Sequence, residues 1–385
     1  MKTAINNALL VGFFLLNILL IGSVYSASDE DFSWVKNELT QADFSGLLIV
    51  AKERQVILRA SFGYANREEK LPFNNETVFD IGSITKQFLA TAILKLSEDG
   101  TLSLHNNLAT FFDNVPQDKT GITVHHLLTH TSGLPTNLSG HKLYDIVPYE
   151  ALPRLAFKET LASTPGEIYQ YSNVGYSLLA RILEKVSGQN WEAFLIENVF
   201  KPSGMLHTGY RLLEYRPQLL AVNYGADQTA FQKFFSIEPK SRSVGHSLAH
   251  LYQTPGQRWM EGAGGLMSTI DDMYRWYLAL SAQTIVNKAS WNAIFTPHIR
   301  EGKHSHYGYG WAISVDEQGR RLIAHNGSNG YSFADFKYYP EEDIFIFVAT
   351  NDIDNYPEDT FKRLSKVVFG SNKSKPHSTV IRDTQ

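Results

Sequence analysis

The chain has 385 residues, no cysteine, 35 Lys+Arg against 39 Asp+Glu, and 43% hydrophobic residues. It is long enough to bury a sizeable core and too apolar for disorder, and its net charge of −4 gives no general attraction to phosphate backbones, so no nucleic-acid partner is expected. The absence of cysteine excludes disulfide frameworks, thiolate zinc sites, cysteine-ligated iron–sulfur clusters and a cysteine nucleophile.

Lys2 precedes the apolar run Ala8–Gly22, which Asn17 interrupts, and small residues follow around Val24–Ala27. A basic start, an apolar stretch and a small-residue site predict a signal peptide over residues 1–26 and a secreted or periplasmic protein. The run is shorter than the roughly 20 apolar residues of a membrane span, and a retained N-terminal membrane anchor is the alternative. Asp29–Gln41 reads as an amphipathic helix through Phe32, Val35 and Leu39. Gly46–Ala51 and Val56–Phe62 read as strands joined by a polar turn. Residues 83–205 are mainly helical, with Ser83–Glu98 ended by Gly100 and Tyr176–Val186 ended by Gly188. Residues 205–258 show little periodicity. Ser268-Thr269 followed by Asp271-Asp272 marks another helix start.

The last third changes character. Tyr309–Val315, Arg321–His325, Ser332–Tyr339 and Ile344–Thr350 are strand-like, separated by short turns that include Asn326–Gly330. Such links join antiparallel neighbours, because a parallel return needs a crossover of about a dozen residues or more. Glu358–Phe369 reads as a closing helix and residues 371–385 as a flexible polar tail. The expected fold class is α+β: one antiparallel sheet flanked by helices, built from residues 27–75 and 255–370, with a mainly helical domain over 76–254.

Ser83 opens a predicted helix and Lys86 follows at i+3, on the same face. A serine hydroxyl needs a base to become a nucleophile, and a lysine can serve only when burial keeps its amine neutral. Ser-x-x-Lys also occurs at Ser33/Lys36 and Ser139/Lys142, but only Ser83 combines an apolar-Gly entry with a long apolar helix. Tyr171-Ser172-Asn173 adds a phenol able to relay a proton and an amide able to orient a lysine. His325-Asn326-Gly327-Ser328 follows a strand, where a glycine admits a substrate backbone and an N–H can bind an oxyanion.

As an ordered set, Ser83-x-x-Lys86, Tyr171-Ser172-Asn173 and His325-Asn326-Gly327 resemble the serine β-lactamase and penicillin-binding protein superfamily. The likeness is to its branch of class C β-lactamases, D-Ala-D-Ala carboxypeptidases and family VIII esterases, and it spans about residues 45–365. Supporting stretches are His126–Pro135, Gly264–Thr269 and Tyr307–Trp311. The resemblance implies a β-lactamase/transpeptidase-like fold and an acyl-enzyme on Ser83. Lys86 and Tyr171 would share proton transfer, with either as the resting base. Asn173 would hold Lys86 and the substrate amide, and His325, Asn326 and Gly327 would bind substrate. The backbone N–H groups of Ser83 and Ser328 would form the oxyanion hole. No metal or organic cofactor is implied, and the partner is a small-molecule ester, peptide or β-lactam.

One departure bears on substrate. Many β-lactamases carry Lys-Thr-Gly as the third element, and His325 offers a positive charge only when protonated. Esters or D-amino-acid peptide amides are therefore expected ahead of β-lactams, with a β-lactamase proper or a sensor that acylates without turnover as alternatives. Three rival chemistries are also legible. Gly245-His246-Ser247-Leu248-Ala249 resembles an α/β-hydrolase nucleophile elbow, with Asp271 and His325 following in the required order, although Ala249 replaces the final glycine. His126 and His130 have a zinc-like i, i+4 spacing, and Gly262–Gly265 resembles a phosphate loop, but neither is followed by the residues that would complete it.

Overall fold

Strands from both ends of the chain meet in one sheet. In the computed structural model, which describes residues 32–225, 241–254 and 256–369, these are β1 (Gly46–Lys52), β2 (Gln55–Phe62), β3 (Ile299–Arg300), β4 (Ser305–Tyr307), β5 (Ala312–Val315), β6 (Arg321–Ser328), β7 (Phe333–Tyr339) and β8 (Ile344–Thr350). The order across the sheet is β2-β1-β8-β7-β6-β5-β4-β3, and every neighbouring pair is antiparallel. The mixed α/β architecture with a large antiparallel sheet agrees with the fold class read from the sequence. The expected signal peptide and the polar tail lie outside the described residues, as does the middle of the irregular 205–258 stretch. Among the described residues no helix is long and apolar enough to cross a membrane.

Both faces of β1 and β8 are buried, which explains why these strands read as unbroken apolar runs instead of alternating ones. Leu47, Ile49 and Ala51 of β1 and Phe345, Phe347 and Ala349 of β8 face the larger core. There they meet α2 (Thr85–Glu98), α3 (Asn173–Ser187) and α4 (Ile270–Ala282). Leu48 and Val50, with Ile344, Ile346 and Val348, face a second core closed by α1 (Ser33–Gln41) and α5 (Glu358–Val367), through Val35, Leu39, Phe361 and Leu364.

Three differences from the sequence reading concern the site. Strand β6 runs on past His325 through Asn326-Gly327 to Ser328, where a turn was expected, because His325–Ser328 stay in register with Phe333–Phe336 of β7. Helix α3 begins at Asn173, three residues before the expected start: the Ser172 hydroxyl accepts the Gly175 N–H at 3.0 Å and caps it. Strands β3 and β4 were not anticipated. Strand β5 pairs only with Arg321–Ala324 of β6, so His325–Ser328 have β7 on one side and the short 3₁₀ turn Gly82–Ile84 on the other.

Candidate active site

Ser83 lies in that 3₁₀ turn, partly exposed between buried Gly82 and Ile84. The turn is pinned from behind, with the Ile81 N–H donating to the Leu266 carbonyl at 3.0 Å and the Gly82 N–H to Asp80 Oδ1 at 2.7 Å. Lys86 projects from the first turn of α2. Its Nζ is 3.2 Å from Ser83 Oγ, 2.8 Å from Asn173 Oδ1 and 2.5 Å from the Ala263 carbonyl oxygen. The side chain is fully buried, and burial holds its pKa well below the usual lysine value. The three neighbours suit a neutral amine: two N–H donors go to the two amide oxygens, leaving the lone pair for the serine hydroxyl.

Asn173 is held by its other end, because Nδ2 donates to Asn137 Oδ1 at 2.9 Å and so turns Oδ1 toward Lys86. Tyr171 precedes the α3 cap, with its ring centroid 4.8 Å from Lys86 Nζ. Burial raises the phenol pKa above its ordinary value, and a hydrogen bond with Ser83 pulls the other way. The phenol is thus protonated at neutral pH. His130 backs it, ring to ring at 4.3 Å, and also packs on Tyr176 and Tyr307. His130 Nδ1 accepts the Ser172 N–H at 3.0 Å, which places the ring proton on Nε2. His126 instead takes part in capping its own short helix through the Thr123 N–H, 3.3 Å from Nδ1. The pair weighed as zinc ligands therefore serves two separate structural contacts.

Along β6, His325 and Gly327 face the helices, whereas Asn326 and Ser328 are exposed on the other face. The close approach at Gly327 leaves no room for a side chain, since a Cβ there would stand 2.0 Å from the Ile81 carbonyl oxygen and 2.6 Å from Ser83 N. Gly82, with φ +49°, is its counterpart: a Cβ there would lie 2.5 Å from Ser328 N. The two glycines let β6 and the Ser83 turn approach closely, with Ser83 N against Gly327 and Ser328 N against Gly82.

His325 is buried at 7% exposure, its Nδ1 2.6 Å from the Asn326 carbonyl oxygen and its Nε2 3.0 Å from the Tyr307 hydroxyl. The carbonyl requires a proton on Nδ1, so Nε2 accepts from Tyr307. Burial, aided by nearby Lys86, pushes its pKa down to about 4. The charge that the sequence reading made conditional on protonation is therefore absent near neutral pH, where the buried ring is neutral. A cleft of about 1090 Å³ joins these groups, lined by Ser83, Tyr171, His325, Asn326, Gly327 and Ser328.

The α/β-hydrolase alternative is overturned. The sheet is antiparallel where that fold needs a parallel one, and the three proposed residues do not meet. Ser247 Oγ accepts from Asn223 Nδ2 and Asn329 Nδ2, both at 2.9 Å, Asp271 bonds Arg59, and His325 bonds Tyr307. Ser247 instead hydrogen-bonds Asp80, behind the Ser83 turn. Gly262–Gly265 forms a wall of the site: Gly262, at φ +87°, packs where a Cβ would stand 2.5 Å from Ala180, and Ala263 supplies its carbonyl to Lys86. Sequence reasoning did not find the Ala263 carbonyl or Asn137, for which no side-chain pattern exists. Nor did it single out Tyr307, although that residue lies in a quoted stretch.

A beta-lactamase family profile matches residues 33–367. The chain belongs to the beta-lactamase family. Within this family it is 28% identical over 339 residues to Penicillin-binding protein 4* of Bacillus subtilis (strain 168), covering 85% of this chain and 73% of that protein. The octameric penicillin-binding protein homologue from Pyrococcus abyssi superposes with a TM-score of 0.74 at 28% identity, over 89% of this chain and 77% of that one. EstCE1, described as a hydrolase with promiscuous acyltransferase activity, shares the fold at a TM-score of 0.70 and 22% identity, over 89% of this chain and 98% of that one. In this beta-lactamase-family fold Ser83, Tyr171 and the β6 groups line one cleft, and Lys86 and Asn173 lie beneath Ser83.

Proposed function

We propose that the protein is an exported serine hydrolase that cleaves esters or amino-acid amides through an acyl-Ser83 intermediate. The observation that carries this reading is Lys86 Nζ, buried with no carboxylate partner among the described residues and 3.2 Å from Ser83 Oγ, with its two other contacts going to amide oxygens. Lys86 acts as the resting base and Tyr171 as the relay. Ser83 Oγ attacks the substrate carbonyl, and its proton passes to Lys86. The oxyanion is held between the Ser83 and Ser328 N–H groups. Tyr171 gives its proton to the departing alkoxide or amine and regains one from Lys86, which leaves the acyl-enzyme and a neutral lysine. Water then attacks the acyl carbon, its proton following the reverse route, and Ser83 is released with the acid product.

Substrate preference follows from β6. A neutral His325 and Asn326 supply no fixed cation where many β-lactamases carry a lysine, which favours esters and amides over β-lactams. The apolar run at the N-terminus supports export. Hydrolysis of a neutral p-nitrophenyl acyl ester by wild type, Ser83→Ala and Ser247→Ala tests the assignment. Loss in Ser83→Ala with activity kept in Ser247→Ala is expected; equal activity in wild type and Ser83→Ala would refute it.

A further inference from the structure

The cleft around Ser83 also contains a carboxylate whose charge has no counterpart among the described residues. Glu301 lies in the turn between β3 and β4, half-buried, and lines the same cleft as Ser83, Tyr169 and Tyr171. Its Oε1 accepts from the Tyr169 hydroxyl at 3.0 Å and its Oε2 from the Ser305 hydroxyl at 2.5 Å. Both donors are neutral. Among the described residues, no lysine, arginine or histidine comes within ion-pair distance of it. Its chain neighbour Arg300 turns away, donating to the carbonyls of Gly302 at 3.0 Å and Lys303 at 3.1 Å.

The cations that line the cleft are already committed. Lys337 pairs with Asp335 at 2.8 Å and Lys362 with Glu358 at 2.8 Å. Lys86 is sealed beneath Ser83 among amide oxygens. His325 spends both ring nitrogens on Tyr307 and the Asn326 carbonyl. A bound carboxylate would therefore meet Glu301 with no free cation among the described residues to offset it. An ammonium group would find an acceptor whose partners are only hydroxyls, and charge-assisted hydrogen bonds of that kind are about twice as strong as neutral ones.

We propose that Glu301 forms an ammonium subsite in the Ser83 cleft, so that the enzyme prefers amino-acyl esters and amides with a free, protonated α-amine over N-acylated or carboxylate-bearing substrates. The proposal rests on the acyl-Ser83 reading and narrows it. Tyr169 and Ser305 are positioning residues here: their hydroxyls orient the carboxylate and leave its charge for the substrate.

The test compares alanine p-nitroanilide with N-acetylalanine p-nitroanilide, in both enantiomers, for wild type and Glu301→Gln. Glutamine keeps the shape and an oxygen for Tyr169 while removing the charge. Wild type should favour the free amine by about tenfold or more in kcat/KM, and the substitution should reduce that ratio about tenfold, mainly through KM. The ratio is insensitive to any loss of folded enzyme. In parallel, calorimetry measures alaninamide and N-acetylalaninamide binding to Ser83→Ala protein with and without Glu301→Gln, reading the subsite without turnover. An unchanged ratio, or equal binding of the two amides by the protein that retains Glu301, overturns the subsite. If neutral-ester hydrolysis survives in Ser83→Ala, the acyl-Ser83 reading fails instead, and the calorimetry still decides the subsite.

Discussion

Replacing Gly327 by alanine tests the gap between β6 and the Ser83 turn. The added Cβ would stand 2.0 Å from the Ile81 carbonyl oxygen and 2.6 Å from Ser83 N, both backbone atoms that cannot rotate away. Real Cβ contacts stay at or beyond 3.0 Å, so β6 and the turn must separate by about 1 Å. The displaced groups include the Ser83 and Ser328 N–H groups, the proposed oxyanion donors. A misplacement of about 1 Å costs on the order of 10²-fold in rate, and loss of one oxyanion donor roughly 10²–10³-fold. Gly327→Ala should therefore lose about 10²–10³-fold in kcat on a neutral p-nitrophenyl ester, with KM changing far less. The far-ultraviolet spectrum and melting temperature of the variant establish that it is folded. A folded Gly327→Ala protein with kcat within about threefold of wild type would refute the argument that this contact sets the oxyanion geometry.

Other outcomes follow from the same groups. Because only the neutral amine of Lys86 can accept the Ser83 proton, activity should rise with pH through its depressed pKa and be complete well below 10.5, and Lys86→Arg, which cannot deprotonate, should lose on the order of 10²–10⁴-fold in kcat. His325, with a folded pKa near 4 against 6.5 unfolded, contributes stability that is intact above 6.5 and lost as pH falls toward 4, on the order of 3 kcal/mol at full effect; urea midpoints at pH 7 and 4.5 for wild type and His325→Gln would show a smaller pH difference in the variant. For the same reason KM for a carboxylate-bearing substrate should stay flat between about pH 5.5 and 8, and a rise across the ordinary histidine range would restore the charged-imidazole reading. Ser247→Ala should leave the ester reaction within about tenfold of wild type but lower the melting temperature, since it strands the Asn223 and Asn329 donors at a cost of roughly 1–3 kcal/mol.

What the sequence made legible was the part governed by local pattern. The apolar runs of β1 and β8 and the long apolar stretch of α2 announce themselves, because a strand buried on both faces and a helix packed in a core must be apolar. Ser83, Lys86, Tyr171 and Asn173 were legible as an ordered motif, and the fold brings them to one cleft. What stayed hidden depends on neighbours distant in the chain. Strand β6 continues through His325–Ser328 only because β7 pairs with it. The β3–β4 hairpin is too short and polar to carry a period, yet it presents Glu301 to the cleft. The protonation of His325 is set by burial against Tyr307 and Lys86, which no local pattern encodes. The Ala263 carbonyl that fixes Lys86 is backbone, and every residue type provides one.

The central claim is a covalent acyl group on Ser83, and mass spectrometry of acid-quenched enzyme tests it most directly. Wild type mixed with excess p-nitrophenyl ester should gain the mass of one acyl group, localised after proteolysis to the peptide containing Ser83, and Ser83→Ala should gain none. An acyl adduct mapped to another residue, or ester turnover undiminished in Ser83→Ala, would contradict the account.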